Sequence, residues 1–182
     1  KLLDVVYSFE IDRLKPRDLT LLSEHITKDQ IVGFAYQQEP INCIWAYTGV
    51  GLLLAFTYYP DQKVFAWSRQ PIGGDGIVES VSAIPSVDGS RDELWLIVKR
   101  TINGVTRRYV EYMSPYHETE TDITDSACVD SALIYDGSAA STVSGFEHLE
   151  GETLRVMVDG KSHPDLEVID GVITLANSRT GE

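Results

Sequence analysis

The sequence predicts a mainly β protein, and three features carry the prediction. Short runs rich in β-branched and aromatic residues follow one another from residue 30 onward, separated by Gly, Pro, Asn and Asp. Asn-Gly and Asp-Gly dipeptides, which supply the positive φ angles of tight hairpin turns, stand between several of these runs. Apolar residues at helical spacing occur in one stretch near the N-terminus. We therefore expect antiparallel sheets with one short helix.

That helix is predicted over Asp18–Ile26. Asp18 is a residue type that caps helix N-termini by accepting hydrogen bonds from unpaired backbone N–H groups. Leu19, Leu22 and Ile26 then recur at three- and four-residue intervals, which would place them on one side of a helix.

Five strand-like runs follow the predicted helix. They are QIVGFAYQ, NCIWAYT, LLLAFTYY, KVFAWSRQPI and GIVESVSAIP. Trp45, Trp67 and Trp95 each lie inside a strand, at intervals of 22 and 28 residues. Four strands in roughly 40 residues is typical of a β-propeller blade. We expect antiparallel blade-like sheets of a partial or interrupted propeller, with an ordinary sandwich as the alternative.

The next segment, ELWLIVKRTINGVTRRYVEYM, is predicted to be a β-hairpin. Asn103-Gly104 lies between its two β-rich arms and favours a type I′ turn. Arg100, Arg107 and Arg108 fall near the tip. We interpret them as a solvated surface of mixed charge, with a docking patch for an acidic neighbour as the alternative.

The C-terminal part is also dense in turn signals. CVDSALIYDGSAASTVSG predicts two strands around an Asp136-Gly137 turn. TLRVMVDGKSHPDLEVIDGVITL predicts three strands, with turns at Asp159-Gly160 and Asp170-Gly171. The second of these turns should join LEVI and VITL as a hairpin. Short, regularly spaced strands indicate a small β-sandwich or barrel.

Charge divides the chain into two parts. Residues 1–113 hold 14 acids against 12 bases, a net charge of −2, whereas residues 114–182 hold 14 acids against 3 bases, a net charge of −11. The acidic stretch SPYHETETDITDS has no Lys or Arg and few apolar residues, which indicates a linker. We expect a blade-like β domain with the N-terminal helix over 1–113, an acidic linker over 114–126 and the small β domain over 127–182.

Composition also bears on partners and compartment. The acidic balance of residues 114–182 argues against the nucleic-acid backbone as a direct partner of this second part. The longest apolar run, Val50–Phe56, is far shorter than the ~20 residues that span a bilayer. Cys43 and Cys128 form no CxxC pair, and buried thiols of a chain folded in a reducing cytoplasm are favoured over one disulfide.

One stretch raises the question of catalysis, because Gly145–Gly160 packs Glu147, His148, Glu150 and Glu152 into six positions. No second histidine stands at the spacing of a zinc-binding helix or strand, and His25, His117 and His163 have no ligand spacing to His148. The stretch directly precedes the strand TLRVMV, so we interpret it as a loop whose glutamates stay in solvent.

Other catalytic patterns fail too. GGDG at Gly73–Gly76 lacks phosphate-loop spacing, no G-x-S-x-G elbow occurs, and DITDSACVDS lacks the ligand spacing of a calcium loop. The sequence predicts no catalytic, cofactor-binding or metal-binding residue, and we expect no enzymatic activity.

Several phrases together resemble a known family. These phrases, in order, are IVGFAYQQEPINCIWAYTGVGLLLAFTYYPDQKVFAWSRQPIGGDGIVESVSAIP, DELWLIVKRTINGVTRRYVEYM and VDSALIYDG…SGFEHLEGETLRVMVDG…HPDLEVIDGVITL. They resemble bacteriophage and prophage tail proteins, and specifically the tail nozzle proteins, or tail tubular protein B, of short-tailed phages. The resemblance runs from about Gln30 to Leu175.

The resemblance implies a structural subunit of a ring, usually hexameric, that guides DNA ejection. The chain would be an internal piece of a longer protein that joins other tail proteins in the virion tail, after assembly in the host bacterial cytoplasm. It implies no sequence-specific nucleic-acid binding and no membrane insertion. Ten residues would be architectural rather than catalytic: Trp45, Trp67, Arg69, Gly74, Asp75, Arg107, Arg108, His148, Gly151 and Gly160.

A second hypothesis comes from a different class of function. The chain could be a host-surface tail module that binds or cleaves glycans, since its nine tyrosines and three tryptophans could stack on sugar rings. In β proteins such residues are more often core and cross-strand pairs, which favours the structural hypothesis.

Overall fold

Strands account for most of the residues that the structure describes. The computed structural model covers residues 1–115 and 133–179, with side chains described as far as Ala176. In chain order the strands are β1 (Leu3–Ser8), β2 (Arg13–Asp18), β3 (Ile31–Gln37), β4 (Cys43–Thr48), β5 (Leu53–Tyr59), β6 (Val64–Gln70), β7 (Ile77–Pro85), β8 (Asp92–Ile102), β9 (Val105–Tyr112), β10 (Ala140–Ser144), β11 (Thr153–Val158), β12 (Lys161–Glu167) and β13 (Val172–Arg179). The predicted mainly β fold class, with antiparallel sheets and one short N-terminal helix, is confirmed.

These strands form five sheets. One is a four-stranded meander, β3–β4–β5–β6, and another is the three-stranded β7–β8–β9; the pairs β1–β2, β10–β13 and β11–β12 are two-stranded. The four-stranded meander has the strand number and order of a propeller blade. Membership of a propeller ring stays a prediction. None of the helices in the described ranges is long and apolar enough to cross a membrane.

The chain divides into two compact units. Of the described residues, the first unit contains Lys1–Arg100 and Arg108–Pro115, and the second contains the hairpin tip Thr101–Arg107 and residues 133–179. The predicted linker, 114–126, lies outside the described residues except for Ser114 and Pro115. The domain boundaries proposed from charge therefore stay a prediction. The sequence did not indicate that the tip of the β8–β9 hairpin would belong to the second unit.

The core of the first unit lies between the four-stranded and the three-stranded sheet. It is made of Cys43, Trp45, Leu53, Ala55, Val78, Leu94, Leu96 and Val98. The last three residues alternate along β8, so they share one face of that strand. Trp45 also has a polar tie, because its Nε1 donates to Gln37 Oε1 at 2.7 Å. The buried indole N–H is therefore satisfied, as burial of a tryptophan requires.

Cys43 is a buried free thiol in this core. Burial raises its pKa to about 11, because the thiolate would lose its hydration there. This agrees with the favoured interpretation of Cys43 as an inert core residue. Cys128 lies outside the described residues.

The opposite face of the four-stranded sheet is partly covered by the N-terminal segment. Ala46, Leu54 and Phe56 are fully buried on this face. Trp67 Nε1 donates to the carbonyl of Leu19 at 2.8 Å. The N-terminal residues therefore form a layer over the β5–β6 side of the sheet.

The predicted helix over Asp18–Ile26 is wrong in its bounds and its cap. Asp18 ends strand β2, and its Oδ1 accepts from the backbone N–H and the hydroxyl of Thr20 at 2.9 and 2.6 Å. The helical residues are a 3₁₀ turn, Leu21–Ser23, and a short α-helix, α1 (Glu24–Thr27). Pairing of β2 with β1 keeps Asp18 extended, so its carboxylate stabilises a turn before the helix.

The second unit contains two two-stranded sheets around a small core. Phe146, Val168 and Ile173 are buried in it. The strands β10 and β13 pair although they are distant in sequence, whereas β11 and β12 form a hairpin through Asp159-Gly160, as predicted.

One local prediction for this unit is wrong, and another is tested only in part. Asp170-Gly171 is a tight turn, but only the single bridge Ile169–Val172 forms across it, and β13 then leaves to pair with β10. The predicted LEVI–VITL hairpin is therefore absent. A strand was also predicted before the Asp136-Gly137 turn. Its first part, 128–132, lies outside the described residues, and residues 133–136 are not in a strand.

Candidate functional site

Glu150, in the Gly145–Gly160 stretch, stabilises a turn through both of its carboxylate oxygens. Glu150 Oε1 accepts a hydrogen bond from the backbone N–H of Asp170 at 2.9 Å, and Oε2 accepts one from that of Gly171 at 2.7 Å. Both turn residues have positive φ, 56° and 71°, which is the conformation of a type I′ turn. The carboxylate holds this turn closed and is not left in solvent, so the expectation that all the glutamates stay in solvent is wrong for Glu150.

The other members of the stretch have separate surroundings. His148 is exposed in a 3₁₀ turn, Glu147–Leu149. Glu152 Oε1 accepts a long hydrogen bond, 3.4 Å, from the backbone N–H of Asn103. Within residues 1–115 and 133–179, no group of three or more His, Cys, Asp or Glu side chains is placed to hold a metal ion. The lack of a catalytic, cofactor or metal site in the whole chain stays a prediction.

Two of the three arginines near the hairpin tip pair with acids of their own sheet. Arg100 is buried and forms a bidentate ion pair with Glu111, with distances of 2.7 and 2.8 Å. Arg108 Nε lies 2.6 Å from Glu79 Oε2 at the surface. Arg107 is exposed. This pairing favours the interpretation as a mixed-charge surface over a docking patch for an acidic neighbour.

The remaining residues named from the resemblance occupy structural positions. Arg69 donates to the carbonyl of His25 at 2.8 Å. The others lie at turn positions with positive φ: Gly74, Asp75, Gly151 and Gly160. Turn geometry explains their residue types without a ligand.

The two-stranded ribbon β1–β2 carries a contiguous apolar surface. The register pairs Val5 with Pro16 and Tyr7 with Leu14, which places these four residues and Leu3 on one face, and all five are exposed. We call this set the ribbon face. At the loop beyond it, Phe9 is 89% exposed and packs edge-on against Tyr7.

The opposite face of the ribbon is polar and meets the protein. Asp4 and Arg17 lie opposite each other on that face and form an ion pair at 2.6 Å. The Arg17 guanidinium also stacks 4.4 Å from the ring centre of Phe65 on β6. The polar face of the ribbon therefore contacts the four-stranded sheet of the same chain. The ribbon face lies on the other side of the ribbon and is exposed.

A second apolar surface lies on β3, at the edge of the four-stranded sheet. Val32, Phe34 and Tyr36 share one face of this strand and are 57%, 58% and 47% exposed. We call these three residues the open strip. Phe34 is directly opposite Ala46, which is fully buried. The open strip is thus the uncovered continuation of the face that the N-terminal segment covers.

The third surface is aromatic and lies on the three-stranded sheet. Trp95 and Tyr112 have ring centres 5.3 Å apart, and Ile97 and Val110 beside them are exposed. Trp95 Nε1 donates to Glu93 at 3.2 Å. Trp45 and Trp67, in contrast, are engaged in the two faces of the four-stranded sheet. Trp95 is therefore the tryptophan with an accessible aromatic neighbour.

The ribbon and the exposure of the open strip were not predicted from the sequence. Alternation of Leu3, Val5 and Tyr7, and of Val32, Phe34 and Tyr36, is visible in the sequence and predicts strands with one apolar face. That these faces stay uncovered depends on tertiary packing, which periodicity does not report.

Comparison of the chain with known proteins found no match from which a function could be inferred. No family model matches the chain. A search of curated proteins also found no match.

Proposed function

We propose that this chain is a structural, non-catalytic subunit of a phage or prophage tail, a nozzle- or tube-like ring component that guides DNA ejection. The ordered resemblance to tail nozzle proteins supports the proposal. The observation that carries it in the structure is the set of exposed apolar β surfaces, above all the ribbon face. Proteins that assemble need such surfaces, whereas a monomer exposes apolar residues mainly one at a time.

The isolation of the ribbon strengthens this argument. Among the strands that the structure describes, β1 and β2 pair only with each other. A two-stranded ribbon is marginally stable in water unless it packs against something. Five exposed residues on its free face, with Phe9 at the tip, therefore favour a role in which a neighbouring subunit completes the packing.

The charge of the chain suits a wall past which DNA moves. At pH 7 the net charge is −13, so the summed field repels the phosphate backbone. A channel wall that bound DNA would retain it, whereas an acidic wall lets it pass. The proposed partners are copies of this chain and other tail proteins in the virion, with no sequence-specific DNA contact and no membrane insertion.

Electron microscopy of the purified chain tests the proposal. We expect ring-shaped particles with rotational symmetry in class averages, and no retardation of duplex DNA at physiological salt. Uniform small particles with no symmetry at high protein concentration would contradict a ring subunit. Salt-resistant, sequence-dependent DNA binding would contradict the inert-wall role.

A glycan-binding tail module is the second candidate, and the Trp95–Tyr112 pair is the observation that favours it. Aromatic rings on a flat sheet face can stack on sugar rings, and Glu93 beside them could accept hydrogen bonds from hydroxyls. Titration with bacterial surface oligosaccharides, followed by tryptophan fluorescence, tests this role. Saturable quenching that is lost in Tyr112→Ala would support it; no response at millimolar sugar would remove it.

A further inference from the structure

We propose that the ribbon face of one copy docks onto the open strip of a second copy of this chain. The inference rests on the proposed function, since it names the interface through which the subunits would assemble. It joins two of the apolar surfaces that the structure leaves uncovered in the first unit.

The orientation of the ribbon argues for a partner outside its own chain. Arg17, on the polar face, stacks on Phe65 of the same chain. Side chains on the two faces of a strand pair point in opposite directions. The ribbon face therefore points away from the sheet that its own polar face touches.

The open strip has the chemistry that the ribbon face requires. It belongs to β3, Ile31–Gln37, which contains no charged residue. An uncharged strand at the end of a sheet with an exposed apolar face is a packing site that isolated proteins usually avoid. No charge would have to be desolvated on this strand. On the ribbon, the charged residue that shares the side of the ribbon face is Asp18, opposite Leu3, and it is already paired with Lys1 at 3.0 Å.

Continuity with a covered surface indicates a second copy as the occupant. The N-terminal segment already covers the β5–β6 side of this sheet face, where Trp67 donates to Leu19 and Arg17 stacks on Phe65. The open strip is the rest of the same face. The ribbon of a neighbouring copy would continue that layer over β3 with the same kind of structure.

The symmetry of such a contact follows from its two different halves. The ribbon face and the open strip are distinct surfaces of one chain, so the interface is heterologous. In a pair of copies, one keeps an unused open strip and the other an unused ribbon face. Heterologous contacts close into rings or extend into filaments. Phe34, Tyr36, Tyr7 and Phe9 would be the aromatic anchors of this interface.

Val5 and Val6 provide a matched pair for the test, because they are 55% and 53% exposed on opposite faces of the ribbon. In a Cys128→Ser background, differently tagged chains carrying Val5→Cys and Phe34→Cys are mixed and oxidised. We expect an intermolecular disulfide between the two tagged chains. The same mixture with Val6→Cys in place of Val5→Cys should cross-link at least about tenfold less, because Val6 lies on the polar face.

Charge insertion tests the same interface without cross-linking. Val5→Asp should weaken self-association at least about tenfold, since a carboxylate would be desolvated in the contact, whereas Val6→Asp should not. Circular dichroism and the thermal midpoint check that both variants fold; if Val5→Asp does not, the cysteine pair decides.

The outcomes separate this inference from the function on which it rests. If the wild-type chain assembles but Val5 and Val6 variants behave alike in both experiments, the ribbon–strip contact is overturned and the structural role stands. If the wild-type chain stays monomeric at every concentration, both are overturned.

Discussion

Arg100 and Glu111 form a bidentate ion pair across the β8–β9 hairpin, and the guanidinium is buried against the backbone carbonyl of Gly73. The side chain of Arg100 is 7% exposed, whereas that of Arg108, paired with Glu79 on the same sheet, is 64% exposed. The two pairs share chemistry and differ in burial. The comparison shows which basic side chain of the hairpin is structural.

The two ion pairs should respond differently to the same substitution. Glu111→Gln removes the carboxylate that pairs with the buried Arg100 guanidinium and should lower the free energy of unfolding by about 2 kcal/mol, below the full cost of a deeply buried pair because Glu111 is partly exposed. Glu79→Gln, the matched control, should cost less than about 1 kcal/mol. Urea unfolding followed by tryptophan fluorescence measures both. Equal losses would show that burial does not set the difference.

Gly51 should be the least replaceable glycine in the first unit. Its φ is +82°, and a Cβ there would overlap Ile77 and lie 3.1 Å from the Ile77 Cα. Gly51→Ala should therefore add overpacking of about 1–3 kcal/mol to the strain of a left-handed alanine. Gly89 is the control, because its φ is +69° and nothing lies within 4 Å of a Cβ. Gly89→Ala should show the strain alone, about 1 kcal/mol. Unfolding midpoints that coincide would refute the packing argument.

Acid should destabilise the loop around Asp88. The hydroxyl of Ser86 first, and then the backbone N–H and hydroxyl of Ser90, lower the pKa of Asp88 to about 2. The pKa of an Asp in the unfolded chain is about 3.9. The stabilisation of the folded chain by the Asp88 carboxylate is therefore present above that pH and is lost as the pH falls toward about 2. Asp88→Asn should flatten the fall in stability over this window. Thermal midpoints measured from pH 5 to pH 2 check this, and parallel profiles for the two proteins would count against it.

The acidic turn should be indifferent to metal. Both Glu150 oxygens already accept backbone hydrogen bonds, and His148 is exposed in a separate turn. Zinc, calcium or EDTA should therefore leave the thermal midpoint unchanged in the wild type and in His148→Ala. Glu150→Ala should lower the midpoint without metal, by the loss of hydrogen bonds worth about 1–3 kcal/mol. A midpoint that rises with metal in the wild type only would show a binding site here.

The parts of the fold that the sequence predicted depend on local chemistry. Asn103-Gly104 and Asp159-Gly160 have the positive φ angles that their residue types favour, and the strands flanking them pair as hairpins. The strands β3 to β7 were likewise indicated by β-branched and aromatic runs. Where a turn and its flanking strands agree, local propensity is enough.

The parts that failed depend on distant partners. At Asp170-Gly171 the turn forms, but β13 pairs with β10, which no local pattern specifies. Leu22, which the helical spacing placed on one side of a helix with Leu19 and Ile26, lies before the α-helix and is 92% exposed. Pairing with β1 keeps Asp18 extended, so the helix begins later than predicted. Glu150 accepts hydrogen bonds from the Asp170-Gly171 turn, about twenty residues later in the chain, and no local sequence pattern predicts this contact. Tertiary pairing overrides propensity at each of these points.

Sedimentation velocity of the wild-type chain over a wide dilution series is the direct test of the proposed ring subunit, because such a subunit must self-associate. The monomer has a mass of 20.3 kDa. We expect a species larger than a dimer, with a mass that is an integer multiple of this value, which dissociates reversibly on dilution. A single 20.3 kDa species at every concentration, with a folded circular dichroism spectrum, would contradict it.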